Sequence, residues 1–157
     1  MKKLLIRDKT AVGIAAPQMF PTGPVDLGLI QRHLRRVEAL GYQSAWTQHG
    51  VFATNPSIDP FTLLAYAAAC TSRIKLGISV VVLPFYDPVN LAKMSASLDQ
   101  LSGGRFILGV GIGGGRSRYP SFGFNDHHRV KRFEDAIALL RCLWSESQVN
   151  FENEFWN

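Results

Sequence analysis

The sequence predicts an α/β chain built as a partial TIM-type (β/α)8 barrel, about four βα units of eight. Three observations predict it. Short apolar runs alternate with amphipathic stretches four times in 157 residues. That is about 39 residues per unit, so eight units would need about 310, a length such barrels reach with insertions. The third apolar run is apolar on both faces, as a parallel strand covered on two sides requires. Glycines crowd the exit of the fourth run, where α/β proteins place their sites.

Each element has its own local signal. Val12 to Ala16, bounded by Gly13 and Pro17, suits a buried first strand, and QMFPTGP is the loop after it. From Asp26 the residues Leu27, Ile30, Leu34, Val37 and Leu40 recur at helical steps, with Arg32, Arg35, Arg36 and Glu38 on other faces, until Gly41 stops the helix. Ser44 to Thr47 is the second strand, followed by QHGVFATNPSI. Asp59 and Pro60 offer an N-cap and a first-turn proline for a helix through Cys70. Ile74 to Leu83 is the third strand. Asp87 and Pro88 repeat the cap-and-proline start of a helix to Leu101, and Ser102, Gly103 and Gly104 turn the chain into a fourth strand, Phe106 to Gly111. A fourth helix spans roughly Arg129 to Trp144, and the tail VNFENEFWN reads as a short extended or hairpin segment.

Composition narrows the function. With 46% hydrophobic residues the chain can bury one core. The charge of +5 comes from 17 Lys and Arg scattered without a run of five, which argues for a solvated surface and against a nucleic-acid footprint. Cys70 and Cys142 lie far apart with no CxxC and no histidine at ligand spacing, so no disulfide framework and no metal site are expected, and both are expected to be buried. The N-terminal apolar run is broken by Arg7, Asp8 and Lys9, and Leu76 to Phe85 is too short to span a bilayer, so a cytoplasmic protein without a membrane segment is expected.

The cluster Gly109, Gly111, Gly113, Gly114 and Gly115 has the look of GxGxxG. A dinucleotide loop should open a helix at once, whereas RSRYPSFGFNDHH intervenes here, so that reading is set aside. Two readings stay open: the glycines let the chain turn, or they let a flat ligand lie against backbone.

Residues Val80 to Gly113, VVVLPFYDPVNLAKMSASLDQLSGGRFILGVGIG, resemble the signature of the bacterial-luciferase-like monooxygenases. The similarity rests on Leu83 and Pro84, on DPV at Asp87 to Val89, on the turn Leu98 to Phe106, and on the GVG exit of the fourth strand. Weaker likeness extends to VGIAAPQ, LGYQSAW and RVKRFEDAIALLRCLW. The resemblance implies that residues 1–157 are the N-terminal half of a barrel domain that holds reduced FMN, or a deazaflavin coenzyme in one branch, at the carboxyl ends of its strands. The implied reaction is oxidation of a small organic substrate with reduced flavin and oxygen, or hydride transfer with a deazaflavin. A noncatalytic half-barrel that binds flavin or serves assembly is the alternative. It further implies a small-molecule substrate, a flavin reductase as partner, and a homo-oligomer or a missing C-terminal half.

Site residues follow from the same likeness. The family's third strand bulges at a non-prolyl cis peptide beneath the flavin, which falls on Ser79 and Val80. Its second strand ends on an acid and a histidine, matched by Gln48 and His49. Gln48 departs from the carboxylate and can only exchange hydrogen bonds, while His49 is the candidate general acid or base, or else a structural histidine. Gly111 and Ile112 would line the cofactor. Arg129, just ahead of the fourth helix, matches an arginine that reaches the flavin phosphate. Where the family often places a glutamate after the fourth strand, this chain has Arg116 and Arg118, which either meet an anion or stay solvated. Other phosphate contacts come from later strands in the family, so weak flavin binding by these residues alone is expected.

Overall fold

The computed structural model of the chain describes residues 10–50, 57–114, 116–123, 125 and 127–156, with the side chains of 116–118 excepted. Strands and helices alternate as β1 (Gly13–Ala15), α1 (Leu27–Ala39), β2 (Ser44–Thr47), α2 (Pro60–Cys70), β3 (Lys75–Val82), α3 (Pro88–Ser102), β4 (Phe106–Gly111) and α4 (Arg129–Ser145). The four strands form one parallel sheet in the order β1-β2-β3-β4. This is the (β/α) rhythm of a partial barrel, with β1 and β4 at the edges of the sheet among the described residues.

The helix starts follow the sequence signals. The Asp26, Asp59 and Asp87 carboxylates accept from the backbone N–H groups of Leu29, Thr62 and Asn90, three residues on, at 2.8, 2.9 and 2.8 Å. Gly103 ends α3 at φ 69°, a left-handed conformation that glycine adopts without a Cβ penalty. The first strand is shorter than expected, with Gly13 to Ala15 in register with Ser44 to Trp46, while Val12 and Ala16 at its ends keep single backbone bonds to Gln43 and Trp46. The third strand gives way at Leu83 to a single 3-10 turn, Leu83–Phe85, and residues 116–122, read as loop, form a second 3-10 segment. Among the described residues the tail makes no strand. Instead the Asn153 side chain accepts from the N–H groups of Phe155 and Trp156, both at 2.8 Å, and folds the chain into a tight turn. Both cysteines are half-buried, not buried.

The core lies between one face of the sheet and the helices. Leu76, Ile78 and Val81 of β3, Ala45 of β2, Ile30 and Leu34 of α1, Leu64 of α2 and Leu91 of α3 are fully buried there. Two polar clamps tie this layer together at the amino ends of the strands. Glu38 accepts from the N–H groups of Ser72, Arg73 and Ile74 at 3.0, 2.6 and 2.9 Å, pinning α1 to the start of β3. Arg105 donates to the carbonyls of Ser102, Ile74, Ala68 and Thr71 and to Thr71 Oγ1, at 2.6 to 3.1 Å. The signature arginine is thus a structural clamp on the C-terminus of α2, at the end of the sheet away from the site.

Among the described residues no helix is long and apolar enough to cross a membrane.

Candidate functional site

The other face of the sheet carries the site. Pairing runs Ile78 to Leu108 and then Val81 to Val110, so Ser79 and Val80 together stand against Gly109 alone. Two residues against one make a β-bulge. The Ser79–Val80 peptide is cis. Ile78 and Val81 both face the core, which turns Ser79 and Val80 outward together; Val80 is 40% exposed.

The β4 strand is cut away to receive this bulge. A Cβ on Gly109 would run into the carbonyl oxygen of Ile78, and one on Gly111 would lie 2.7 Å from Val80 Cγ2. The glycines therefore do more than turn the chain. They make room for the bulge, because the Ile78 carbonyl and the Val80 methyls occupy the space that side chains on β4 would take.

Trp46 dominates the neighbouring strand. Its indole spreads across the sheet over Gly77 on one side, where a Cβ would collide with the six-membered ring, and over Gly13 on the other, where a Cβ would lie 2.9 Å from Cδ1. The ring N–H donates to Ser44 Oγ at 2.8 Å. A cavity of about 560 Å3 opens above it at the carboxyl ends of β1 to β3, bordered by Ala16, Met19, Trp46, Gln48, Ser57 and Ser79.

Gln18 fixes the rim. Its amide donates to the carbonyls of Gln48 at 2.7 Å and Ile58 at 2.8 Å, and its carbonyl accepts from the Gln48 N–H at 2.8 Å. The Gln18 backbone carbonyl takes the Ile58 N–H at 3.0 Å. One buried side chain thus ties the loop after β1 to both ends of the loop after β2.

The candidate residues separate into groups. Gln48 and Ser79 border the cavity, and Val80 and Gly111 meet beside it on β3 and β4. His49 is not among the lining residues. Its Nδ1 accepts from the Val82 N–H at 3.2 Å and its Nε2 lies 3.2 Å from Tyr86 Oη. An accepting Nδ1 places the ring proton of the neutral form on Nε2, which donates to Tyr86. Burial pushes the His49 pKa below its ordinary value, against an opposing pull from the Asp59 carboxylate. Burial also pushes the Tyr86 phenol up to about 12, with the Asp59 charge adding to it.

Beyond β4, the Ile112 carbonyl accepts from Tyr119 Oη at 2.6 Å, and Tyr119 is fully buried. Phe85 packs edge-on against Tyr119 at 5.0 Å and stacks on Phe122 at 4.1 Å, which lays the 116–122 segment over the turn after β3. Arg129 Nη1 donates to the Gly113 carbonyl at 3.3 Å. Gly115 and the side chains of Arg116 and Arg118 lie outside the described residues.

Sequence reasoning missed Trp46, Gln18, Gly13 and Gly77. Only the strand register brings the two glycines to the indole, and no local spacing encodes it.

The geometry partly fits a flavin-type coenzyme. The outward bulge presents Ser79 and the Val80 methyls as a neutral surface that a planar ring could meet, while no basic side chain of the described residues lines the cavity to take a phosphate.

The profile of the luciferase-like monooxygenases matches residues 10–157. The F420-dependent glucose-6-phosphate dehydrogenase of Intrasporangium calvum is 32% identical over 138 residues, which cover 79% of this chain and 40% of that protein. Monooxygenase RslO1 from Streptomyces bottropensis superposes with a TM-score of 0.78 at 29% identity, over 93% of this chain and 46% of its own. The FMN complex of the oxygenating constituent of 3,6-diketocamphane monooxygenase from Pseudomonas putida superposes with a TM-score of 0.81 at 22% identity, a likeness of fold, over 93% of this chain and 42% of its own. The chain thus spans less than half the length of each of these proteins.

Proposed function

The chain belongs to the luciferase-like monooxygenase family, and on that premise we propose that it carries the flavin-facing half of an oxidoreductase barrel that uses reduced FMN and oxygen to oxidise a small organic substrate. The observation that carries the reading is the pairing of an outward bulge at Ser79 and Val80 with a strand pared to glycine at Gly109 and Gly111. A flat ring system laid there meets Ser79 and the Val80 methyls on β3. Bound reduced flavin supplies the electrons that activate oxygen.

The protein's own residues position and shield. Gln48, whose backbone is fixed by Gln18, offers a neutral amide to a ring or substrate heteroatom. Gly111 and Ile112 would border the ring, and the packing of Tyr119 on Phe85 keeps the chain beyond Ile112 folded over the turn that follows β3. Arg129, whose guanidinium donates to the Gly113 carbonyl, would be the residue to hold the coenzyme phosphate. His49 acts as acid or base only after release from Val82 and Tyr86. A flavin reductase supplies the reduced coenzyme, and further barrel units or a second copy close the sheet.

A deazaflavin coenzyme with hydride transfer is the second reading, favoured by the F420-dependent relative that is 32% identical across most of this chain. Anaerobic titration with reduced FMN and with reduced F420 tests both. Saturable perturbation of one coenzyme's absorbance is the expected result and selects between them. No perturbation of either contradicts the proposal.

A further inference from the structure

The cavity beside the bulge has a floor that the coenzyme reading does not use. The Trp46 indole lies flat because Gly13 and Gly77 have no side chains to lift it, so one face rests on the sheet and the other is turned to the cavity. Its only polar group is already engaged with Ser44 Oγ, so the exposed ring offers a π surface and no donor. Ala16 and the flexible thioether of Met19, which is 57% exposed, add apolar walls at the rim.

The remaining polarity is neutral. Both ends of the Gln18 amide are committed to backbone, which leaves Gln48, Ser57 and Ser79 to contact a ligand. No charged side chain lines the cavity among the described residues. On this lining an anion meets no counter-charge, whereas the amide and hydroxyls of Gln48, Ser57 and Ser79 can hydrogen-bond a neutral ligand. At about 560 Å3 the space suits a small organic molecule.

We propose that Trp46 is the specificity residue of this site, stacking a neutral, planar aromatic or conjugated substrate between its indole and the rim of Gln48, Ser57 and Ser79. The inference rests on the proposed function only in calling the ligand a substrate, because the stacking itself needs no coenzyme.

The matched probes 2-naphthamide and 2-naphthoate, titrated by calorimetry into the coenzyme-free chain, share a ring and differ in charge. The amide is expected to bind at least tenfold more tightly than the carboxylate. Trp46→Phe, which keeps a ring, should hold amide affinity within about threefold, and Trp46→Leu should lose about tenfold or more. Equal affinity for the two probes overturns the inference, and so does a folded Trp46→Leu protein with undiminished binding. Should Trp46→Leu fail to fold by circular dichroism, NMR saturation transfer from the Trp46 indole protons to 2-naphthamide decides. Transfer supports the inference and its absence overturns it. Failure of reduced FMN and F420 to bind, with naphthamide binding intact, would overturn the coenzyme reading alone.

Discussion

The side chain of Gln18 closes a ring with the backbone of Gln48, donating to its carbonyl at 2.7 Å and accepting from its N–H at 2.8 Å. Asparagine would be too short and leucine has nothing to offer. Gln18→Leu leaves the Gln48 N–H and two carbonyls without their partner, and is expected to destabilise the chain by about 2–3 kcal/mol. Gln18→Glu keeps the acceptor but loses both donations at neutral pH, so it should be destabilised as well, and protonation of the carboxyl should restore only one of the two donations. Urea unfolding at pH 7 and pH 4.5 checks both.

His49 gives stability a pH dependence with a definite sign. Its folded pKa lies below the ordinary 6.5 because burial disfavours the charged ring. The unfolded chain therefore takes up this proton at a higher pH than the folded one. The contribution is complete above about 6.5 and is lost as the pH falls toward the folded value. NMR titration of the imidazole should give a midpoint below 6.5, and His49→Gln should remove that part of the pH dependence. A midpoint at or above 6.5 would show that burial does not hold the ring neutral against the Asp59 charge.

Glu38 behaves in the opposite chemical sense. Burial alone would raise its carboxyl, but the N–H groups of Ile74, Arg73 and Ser72, helped by the Arg73 charge, hold it below the ordinary 4.5. Its stabilisation is present above that value and is lost as the pH drops through the folded pKa. The site is largely solvated, so Glu38→Gln should cost only about 1 kcal/mol at pH 7. The difference between variant and native chain should shrink below pH 4.5, as read by thermal melts across that range.

Two glycines on one strand should respond unequally. At Gly109 a new methyl meets the Ile78 carbonyl, which is backbone and cannot swing aside. At Gly111 it meets a Val80 methyl, which can. Gly109→Ala is expected to cost about 2–3 kcal/mol and Gly111→Ala under about 1 kcal/mol. Chemical denaturation of the pair measures this, and equal effects would mean that the bulge is not packed against Gly109 as described.

The strand–helix rhythm was legible because each helix announces itself. Asp59-Pro60 and Asp87-Pro88 mark two starts, Gly41 and Gly103 two ends, and β2 and β4 run as the apolar pattern suggests. The bulge position at Ser79 and Val80 came from family likeness, since neither residue is unusual locally. The site's architecture was less legible. Gln18 sits in a loop that reads only as a turn, and its three contacts are made 30 and 40 residues away. Trp46 reads as an ordinary strand residue until β1 and β3 bring their glycines beside it. The tail misled because Phe151, Phe155 and Trp156 suggest a strand, while Asn153 and the stacking of Arg132 on Trp156 at 4.6 Å settle a turn instead.

The central claim is that a planar coenzyme lies against Ser79 and Val80 of the bulge. Ser79→Phe places a large ring beside that surface without touching the core. Anaerobic titration of reduced FMN and reduced F420 into the native chain and into Ser79→Phe is the direct test. The expected result is saturable binding of one coenzyme to the native chain and a loss of at least tenfold in the variant, with unchanged far-ultraviolet circular dichroism. Equal binding to both proteins, or none to either, would contradict it.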